Sequence, residues 1–505
     1  MNGIGLGIDF GNTNIKVSYI TNNKIKTLSF NDGGMRSDFQ KNIIVYNKNE
    51  ILLGYIAEQK FLENENENDI IYCVKKELLK NKEDSNTFIN SRQITLNSVE
   101  ILGDMLKEIV KTASEKNGGQ EITNCIITIP VNFSELQKER IKKACKLAQL
   151  NLDGLLTEPI AGGLGLLDDI DDLEDGDKYI IFDFGGGTLD IVLLEIEKNE
   201  DTTTFKVLGS AGVTYGGSDL TEDILEKCVV PKINTPEVLQ DKKNRIEIIR
   251  EVEKAKETCL GEEDGSDFTI VLNKNILQGL DSDQQLKITQ EEMIDVIDES
   301  KIKDKIIRIF DFLLEDSMIE KDEIKQVITI GGSSRISEIK KVIYHYFEDD
   351  DIYDIDDMYD DDDIFLSVSK GAARFLQHLI DNNEQFELEN KNSFRLYAKN
   401  KENRNIILGS KFTSFKTESA LKLFKNISSS VSNEAIIYQQ FDNFDDEEQT
   451  EIVIGKVLYT PEKYDKDGNI YYSVCIDNKG EISFKFYQHS AENFIEENKI
   501  IIKEW

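Results

Sequence analysis

Histidine is almost missing from this chain of 505 residues, which has three, and the six cysteines form no C-x-x-C pair. That scarcity argues against a zinc site. Cys73, Cys125, Cys145, Cys228, Cys259 and Cys475 are scattered, most of them in apolar surroundings, and read as buried thiols of a reducing cytoplasm. Basic residues are also short: 60 Lys and Arg face 96 Asp and Glu, a formal net charge of −36. Phosphate backbones and anionic lipids would be repelled, so no nucleic-acid or membrane partner is expected, and the acidity serves solubility. No apolar run is long enough to cross a bilayer, and Met1-Asn2-Gly3 leads straight into a strand, so no signal peptide is expected either. What is present, 39% hydrophobic and 31% charged residues, suits a soluble globular protein with two or three domains.

The most informative stretch is Tyr179-Ile180-Ile181-Phe182-Asp183-Phe184-Gly185-Gly186-Gly187-Thr188-Leu189-Asp190. It opens as a strand buried on both faces, turns on three glycines, and returns as a second apolar strand. Such glycines permit positive φ and bring backbone N–H groups close to an anion, while Asp183 at the strand end could hold a metal-bound water. Taken alone, a plain Gly-rich hairpin would explain it. Yet Gly7-Ile8-Asp9-Phe10-Gly11-Asn12-Thr13-Asn14-Ile15 has the same grammar about 175 residues earlier. Two such hairpins suggest two related half-domains facing one nucleotide. A third element, Val327 to Ile330 followed by Gly331-Gly332-Ser333-Ser334-Arg335, is a strand running through glycines into a helix, a suitable floor for a nucleoside.

Taken together, these stretches resemble the actin-like ATPase superfamily, and within it the 70-kDa heat-shock (DnaK-type) chaperone family. Further matches are Ile129-Pro130 with the helix from Gln137 to Leu147, Thr157-Glu158-Pro159 with Ala161-Gly162-Gly163, Tyr215-Gly216-Gly217-Ser218-Asp219-Leu220, and Ser369-Lys370-Gly371-Ala372-Ala373. The likeness is close over about 1–380 and looser beyond. It implies a two-lobed α/β actin-like (ribonuclease H-like) ATPase domain followed by an antiparallel β-sandwich. Lobe I would cover 1–170 with an upper subdomain at 38–99, and lobe II 178–380 with an upper subdomain at 214–292. A linker at 381–392 and a β-domain at 393–505 would follow.

The resemblance also implies ATP or ADP with Mg2+ as cofactors, and K+ as a further candidate. Amides of Gly11, Asn12, Thr13, Gly185, Gly186 and Gly187 would clamp the phosphates. Asp9 and Asp183 would hydrate the metal and take a proton from the attacking water, Glu158 would touch a metal water, and Thr188 would contact the γ-phosphate. Lys75 aligns with the family's catalytic lysine, although its own surroundings mark it as one lysine among many. Gly216, Gly217, Ser218, Glu253, Lys256, Gly331, Gly332, Ser333 and Arg335 would hold the nucleoside side.

Several positions depart from the family. Its adenine-stacking arginine falls on Glu257, a nearby serine on Leu260, and a late aspartate near the base roughly on Phe365. Pro130 matches the proline of the interdomain switch, but its arginine partner falls on Lys138, with Arg140 two positions on. The Leu-rich linker is not found, and Phe386 and Leu388 are its nearest equivalent.

Elsewhere, helices are expected over Ser98 to Ala113, Lys301 to Leu314 and Ser337 to Phe347, and a core strand over Cys125 to Ile129. Strands are expected at Asn42 to Tyr46 and Glu50 to Gly54, with a turn at Asp32-Gly33-Gly34. Residues 348–363, with eleven acids in sixteen, read as a solvated loop, weak cation binding being the sharper alternative. Short alternating strands follow at Phe394 to Tyr397, Ala435 to Tyr438, Ile452 to Leu458, Tyr471 to Ile476 and Glu481 to Tyr487, with turns such as Asp467-Gly468-Asn469 and Asn478-Lys479-Gly480. With the sequence ending at Trp505, the family's helical lid is expected to be missing. The reading these features support is a slow, lidless chaperone-like ATPase with a peptide or protein client at the β-domain and a co-chaperone or nucleotide-exchange partner. A non-hydrolysing nucleotide switch or scaffold is the main alternative, and an actin-like filament protein or a sugar kinase stands further off.

Overall fold

The computed structural model describes residues 4–22, 24–32, 35–63, 69–79, 87–89, 91–167, 173–261, 266–347 and 361–381. In the C-terminal part it describes the segments 386–389, 394–399, 405–409, 422–423, 434–442, 444, 452–458, 470–476, 482–488 and 494–502. The turns at 33–34, 467–469 and 478–480 and most of the acidic run lie outside the described residues; Asp361 to Asp363 open a helix and are not loop.

Two sheets share one plan. In the first lobe, β1 (Ile4–Phe10) pairs antiparallel with β2 (Asn14–Thr21), which pairs with β3 (Lys24–Thr27). On the other side β1 pairs parallel with β4 (Ile122–Ile129), and β4 with β5 (Asn151–Thr157). In the second lobe, β6 (Lys178–Phe184), β7 (Leu189–Lys198) and β8 (Thr203–Val213) form the same antiparallel run, with β9 (Gln326–Ile330) parallel to β6. Both hairpins turn where their apolar runs stop, between Phe10 and Ile15 and between Phe184 and Leu189. The strands are buried on both faces, as their unbroken apolar runs require.

The helices cover these sheets. In the first lobe α1 (Ser98–Lys116) packs on α2 (Glu135–Leu147), each opened by a reciprocal cap: Asn97 with Glu100, and Ser134 with Gln137. Between the lobes, α3 (Glu158–Leu167) crosses a long helix, α8 (Asp361–Asp381), through a core that includes Ile126, Ile181, Ile328 and Val368. Although α8 follows the second lobe in sequence, it lies on β1 and β2, and the Ser18 and Ser369 hydroxyls meet at 2.9 Å in the buried seam. The second lobe is completed by α4 (Gly217–Ile224), α5 (Lys242–Leu260), α6 (Ile302–Ser317) and α7 (Ser337–Phe347) around its own core.

After α8 the described elements are all strands. Phe386–Glu389, here β10, adds to the free edge of β8 in parallel, with Phe386 opposite Thr203 and Leu388 opposite Phe205. Phe386 and Leu388, the nearest equivalent of the family's Leu-rich linker, thus stand in a strand on the edge of the second-lobe sheet, within the 381–392 stretch expected to be linker. Two sheets then form the β-domain, one from Phe394–Lys399, Asn405–Gly409, Glu434–Phe441, Ile452–Leu458 and Ile501–Ile502, the other from Lys422–Leu423, Ile470–Ile476, Ile482–Gln488 and Phe494–Lys499. Ile437, Ile454, Val457, Phe484 and Phe486 are fully buried among its residues.

Candidate functional site

The two hairpin turns meet face to face at the bottom of the cleft between the lobes. A Cβ placed on Gly186 would lie 2.4 Å from the Thr13 hydroxyl, and one on Gly187 would lie 3.0 Å from the Asn12 side chain. Only glycine lets the turns come this close. Above them opens a cavity of about 1100 Å3.

Each turn is tied from behind through its carbonyls. Asn42, almost fully buried, donates its side-chain amide to the Gly11 carbonyl at 2.9 Å and its backbone N–H to the Thr13 carbonyl at 2.8 Å. On the other lobe, the N–H groups of Gly217 and Ser218, at the start of α4, donate to the Gly185 and Gly186 carbonyls at 3.0 and 2.7 Å. Ser333 Oγ adds a second bond to the Gly185 carbonyl at 3.0 Å. The N–H groups of Asn12, Thr13, Gly186 and Gly187 have no partner among the described residues and are the donors the turns can offer. Gly185 departs from its expected role as a clamp, because its N–H closes the turn onto the Thr188 carbonyl at 3.0 Å.

Asn42 reaches further. Its carbonyl accepts from the Cys73 N–H at 2.9 Å, and its side-chain oxygen accepts from the Val74 N–H at 3.3 Å. Cys73 takes a left-handed φ of 51°, a strained conformation for a residue with a side chain, and the kink delivers Lys75 into the cleft. One buried side chain therefore positions both the first turn and the lysine.

Acids and the lysine converge beside the turns. Asp9 and Asp183 are the next-to-last residues of β1 and β6, Glu158 begins α3, and all three line the cavity almost fully buried. Lys75 Nζ forms an ion pair with Glu158, the side chains being only 4% and 10% exposed. Burial raises the Glu158 carboxyl and holds Asp183 well above the ordinary range, with neighbouring acids adding to both shifts. Asp190, two residues beyond Thr188, is pushed up to about 7 by the same burial and by Glu158, while bonds from Thr188 and from the Val131 N–H at 2.9 Å pull it back. Among the described residues no three acids approach closely enough to hold a metal ion directly. Such a set suits a metal that keeps its own waters, as Mg2+ does.

The nucleoside end is built differently. Glu253, Lys256 and Glu257 of α5 line it together with Gly332, Ser333 and Arg335. Lys256 is anchored to α4, donating to the Gly217 carbonyl at 2.9 Å and the Thr221 hydroxyl at 2.8 Å; burial lowers its pKa and raises that of Glu253. Gly331, at φ 84°, approaches the Phe184 carbonyl so closely that a Cβ would lie 2.5 Å away. Of the departures, Glu257 and Phe365 line the cavity, whereas Leu260 turns into the second-lobe core. Across the cleft mouth Glu58, from the first lobe, receives both Lys41 at 2.9 Å and Arg250 of α5.

Every sequence-predicted site residue lines this cavity except Gly216, which caps α4 behind Gly187. Sequence reasoning missed Asn42, Asp190 and Lys16. The aspartate two residues past Thr188 was a usable signal; Asn42, in an ordinary strand context, gave none.

The β-domain touches both lobes. The first amides of a helix have no intrahelical partner, and the Glu135 N–H of α2 donates to Oε1 of the buried Gln439 at 3.0 Å. Lys138, three residues on, pairs with Glu135 at 2.7 Å, and Pro130 and Arg140 are buried nearby in the chain. Phe444 enters the second-lobe core with its ring 5.4 Å from that of Phe312 on α6, and Arg308 donates to its carbonyl at 3.0 Å.

The cavity fits a nucleotide polyphosphate: the four unpartnered amides of the two turns are donors for anionic oxygens, and the buried, unpartnered Asn12 Oδ1 is left to accept from a donor such as a bound water. Asp9 and Asp183 fit a hydrated Mg2+. In comparison with known protein families, residues 5–427 match the family described as HSP70, Hsp70 protein.

Proposed function

The chain belongs to the Hsp70 family, and from that premise we propose that it binds ATP with Mg2+ between its lobes, hydrolyses it slowly and engages a peptide or protein partner through its β-domain. Members of the family are ATPases that bind clients and co-chaperones. The observation that carries the reading is the facing of the two hairpin turns over Lys75 and the same three acids. In it the amides of Asn12, Thr13, Gly186 and Gly187 hold phosphate oxygens, and Lys75, kept in place by Glu158, faces the charge that grows during transfer. Burial makes Asp183 a stronger base for the proton of an attacking water. Thr188 would contact the terminal phosphate, and Asp9 and Asp183 would hold the metal through its waters. Mg2+, when bound, spreads the charge of the phosphate oxygens. Four of the six cysteines are buried thiols, which supports a cytoplasmic location.

One observation favours a second reading. Glu257 puts a carboxylate in the nucleoside end of the cavity where the family has a stacking arginine, and a weakened base site suits a switch or scaffold that does not turn over. Single-turnover hydrolysis separates the two. Wild type should release phosphate, Lys75→Ala should lose about a hundredfold or more while still binding ATP, and Thr188→Ala should lose about tenfold. ATP binding without phosphate release would favour the switch.

A further inference from the structure

The roles assigned so far use one lysine at the phosphate end, yet a second lies there. Asp9 and Lys16 are directly opposed across the β1–β2 ladder, and Lys16 Nζ reaches Asp9 Oδ2 at 3.0 Å. Its neighbours Ile15 and Val17 point into the first-lobe core, so strand alternation turns Lys16 the other way, into the cavity with Lys75, Glu158 and Asp183. The side chain is 14% exposed. Its ammonium lies 4.3 Å from the centroid of the Phe365 ring, which is braced edge-on by Phe39 at 5.5 Å. An aromatic face is a low-cost contact for a desolvated ammonium.

Asp9 and Phe365 leave the ammonium a further donor, since it carries three. The wall it occupies is also unusual in charge. The family's late aspartate near the base falls roughly on Phe365, so an aromatic ring and not a carboxylate faces the Lys16 ammonium here. In a chain of net charge −36, with three buried acids at the same spot, a polyphosphate needs compensating cations. Lys16 also favours the ionised forms of Glu158 and Asp183.

We propose that Lys16 is a phosphate ligand of this cleft, a built-in cation that binds the nucleotide's polyphosphate and lessens its dependence on a divalent ion. It rests on the nucleotide reading given above. Lys16 gives one N–H to Asp9 and another to a phosphate oxygen, and Phe365 holds the chain between them.

Titration calorimetry on the full chain tests this, using ATP, ADP and adenosine, each with Mg2+ and with EDTA. Lys16→Met should weaken ATP and ADP by about tenfold to a hundredfold, more in EDTA than in Mg2+, with adenosine unchanged. Lys16→Arg should restore most of the loss. If Lys16→Met binds ATP and ADP as wild type does, or loses adenosine equally, Lys16 is a counter-ion of Asp9 alone and the proposal is overturned. Far-UV circular dichroism shows whether the variant folds; if it does not, Lys16→Gln takes its place. A wild type that binds no nucleotide overturns the nucleotide reading itself, and this proposal with it.

Discussion

At its phosphate end the cleft is made of backbone and short side chains held from behind: two glycine turns in contact, their carbonyls tied by Asn42, Gly217, Ser218 and Ser333, and buried acids around Lys75. At its nucleoside end it is made of longer side chains from one helix, Glu253, Lys256 and Glu257, set against Arg335. In the resemblance to the family the first end keeps the expected residues, while at the second Glu257 departs beside Glu253, Lys256 and Arg335, which do not. The difference follows from the ligands. Clamping phosphate needs several N–H groups in fixed directions, which few sequences supply, whereas a flat base accepts many surfaces of similar shape.

The sharpest way to break the contrast is to separate the turns. Gly186→Val drives side-chain atoms into Thr13, 2.4 Å from where the Cβ would stand, and should weaken ATP binding by about a hundredfold or more in calorimetry.

A pH test comes next. Asp190, at about 7 in the folded chain against an ordinary 3.8, holds its proton more tightly folded than unfolded. Stability therefore falls as pH rises from about 4 to about 7, by up to about 4 kcal/mol from this group. Glu158 and Asp183, raised for the same reason, act in the same direction. Denaturant unfolding across that range should show the decline, and Asp190→Asn should flatten part of it; an unchanged slope would count against the buried acid.

Asn42→Ala removes the tie between the first turn and the Lys75 segment. Phosphate release should drop about tenfold, with ATP affinity falling less, a kcat-weighted loss that marks a positioning role. At the nucleoside end, Glu257→Arg should tighten ATP by several-fold, about 1 kcal/mol, if the carboxylate there weakens base binding. The smallest effect belongs to the contact between the lobes: Glu58→Ala takes its partner from Lys41 and leaves Arg250 with Glu247 alone, and should speed release of a fluorescent ADP about threefold in stopped flow.

Much of this was legible beforehand. Ser337 to Phe347 and Ile452 to Leu458 fall where their periodicity places them, because each carries its own face pattern. Phe494–Lys499, with two adjacent apolar residues followed by four polar ones, offered no such pattern and is a strand because it pairs along Ile482–Gln488. Phe386–Glu389 alternates apolar and charged residues but lies in a polar stretch that read as linker, and the open edge of β8 takes it up as a strand. The acids of 361–363 read as solvated loop, yet they open α8, where negative charge suits the positive end of the helix dipole.

The sequence alone determined the two hairpins, their Asp-Gly turns, the glycine floor and hence the kind of ligand, because these depend on local backbone geometry and on chemistry that few residues can supply. Only the tertiary structure decided that Gly185 spends its N–H on its own turn, that Asn42 joins the turn to Lys75, that Lys16 stands beside Asp9, and that Gln439 and Phe444 bind the β-domain to both lobes. Each of those is a contact between segments distant in the chain or a choice among competing hydrogen-bond partners, and such choices are made only when packing brings the partners together.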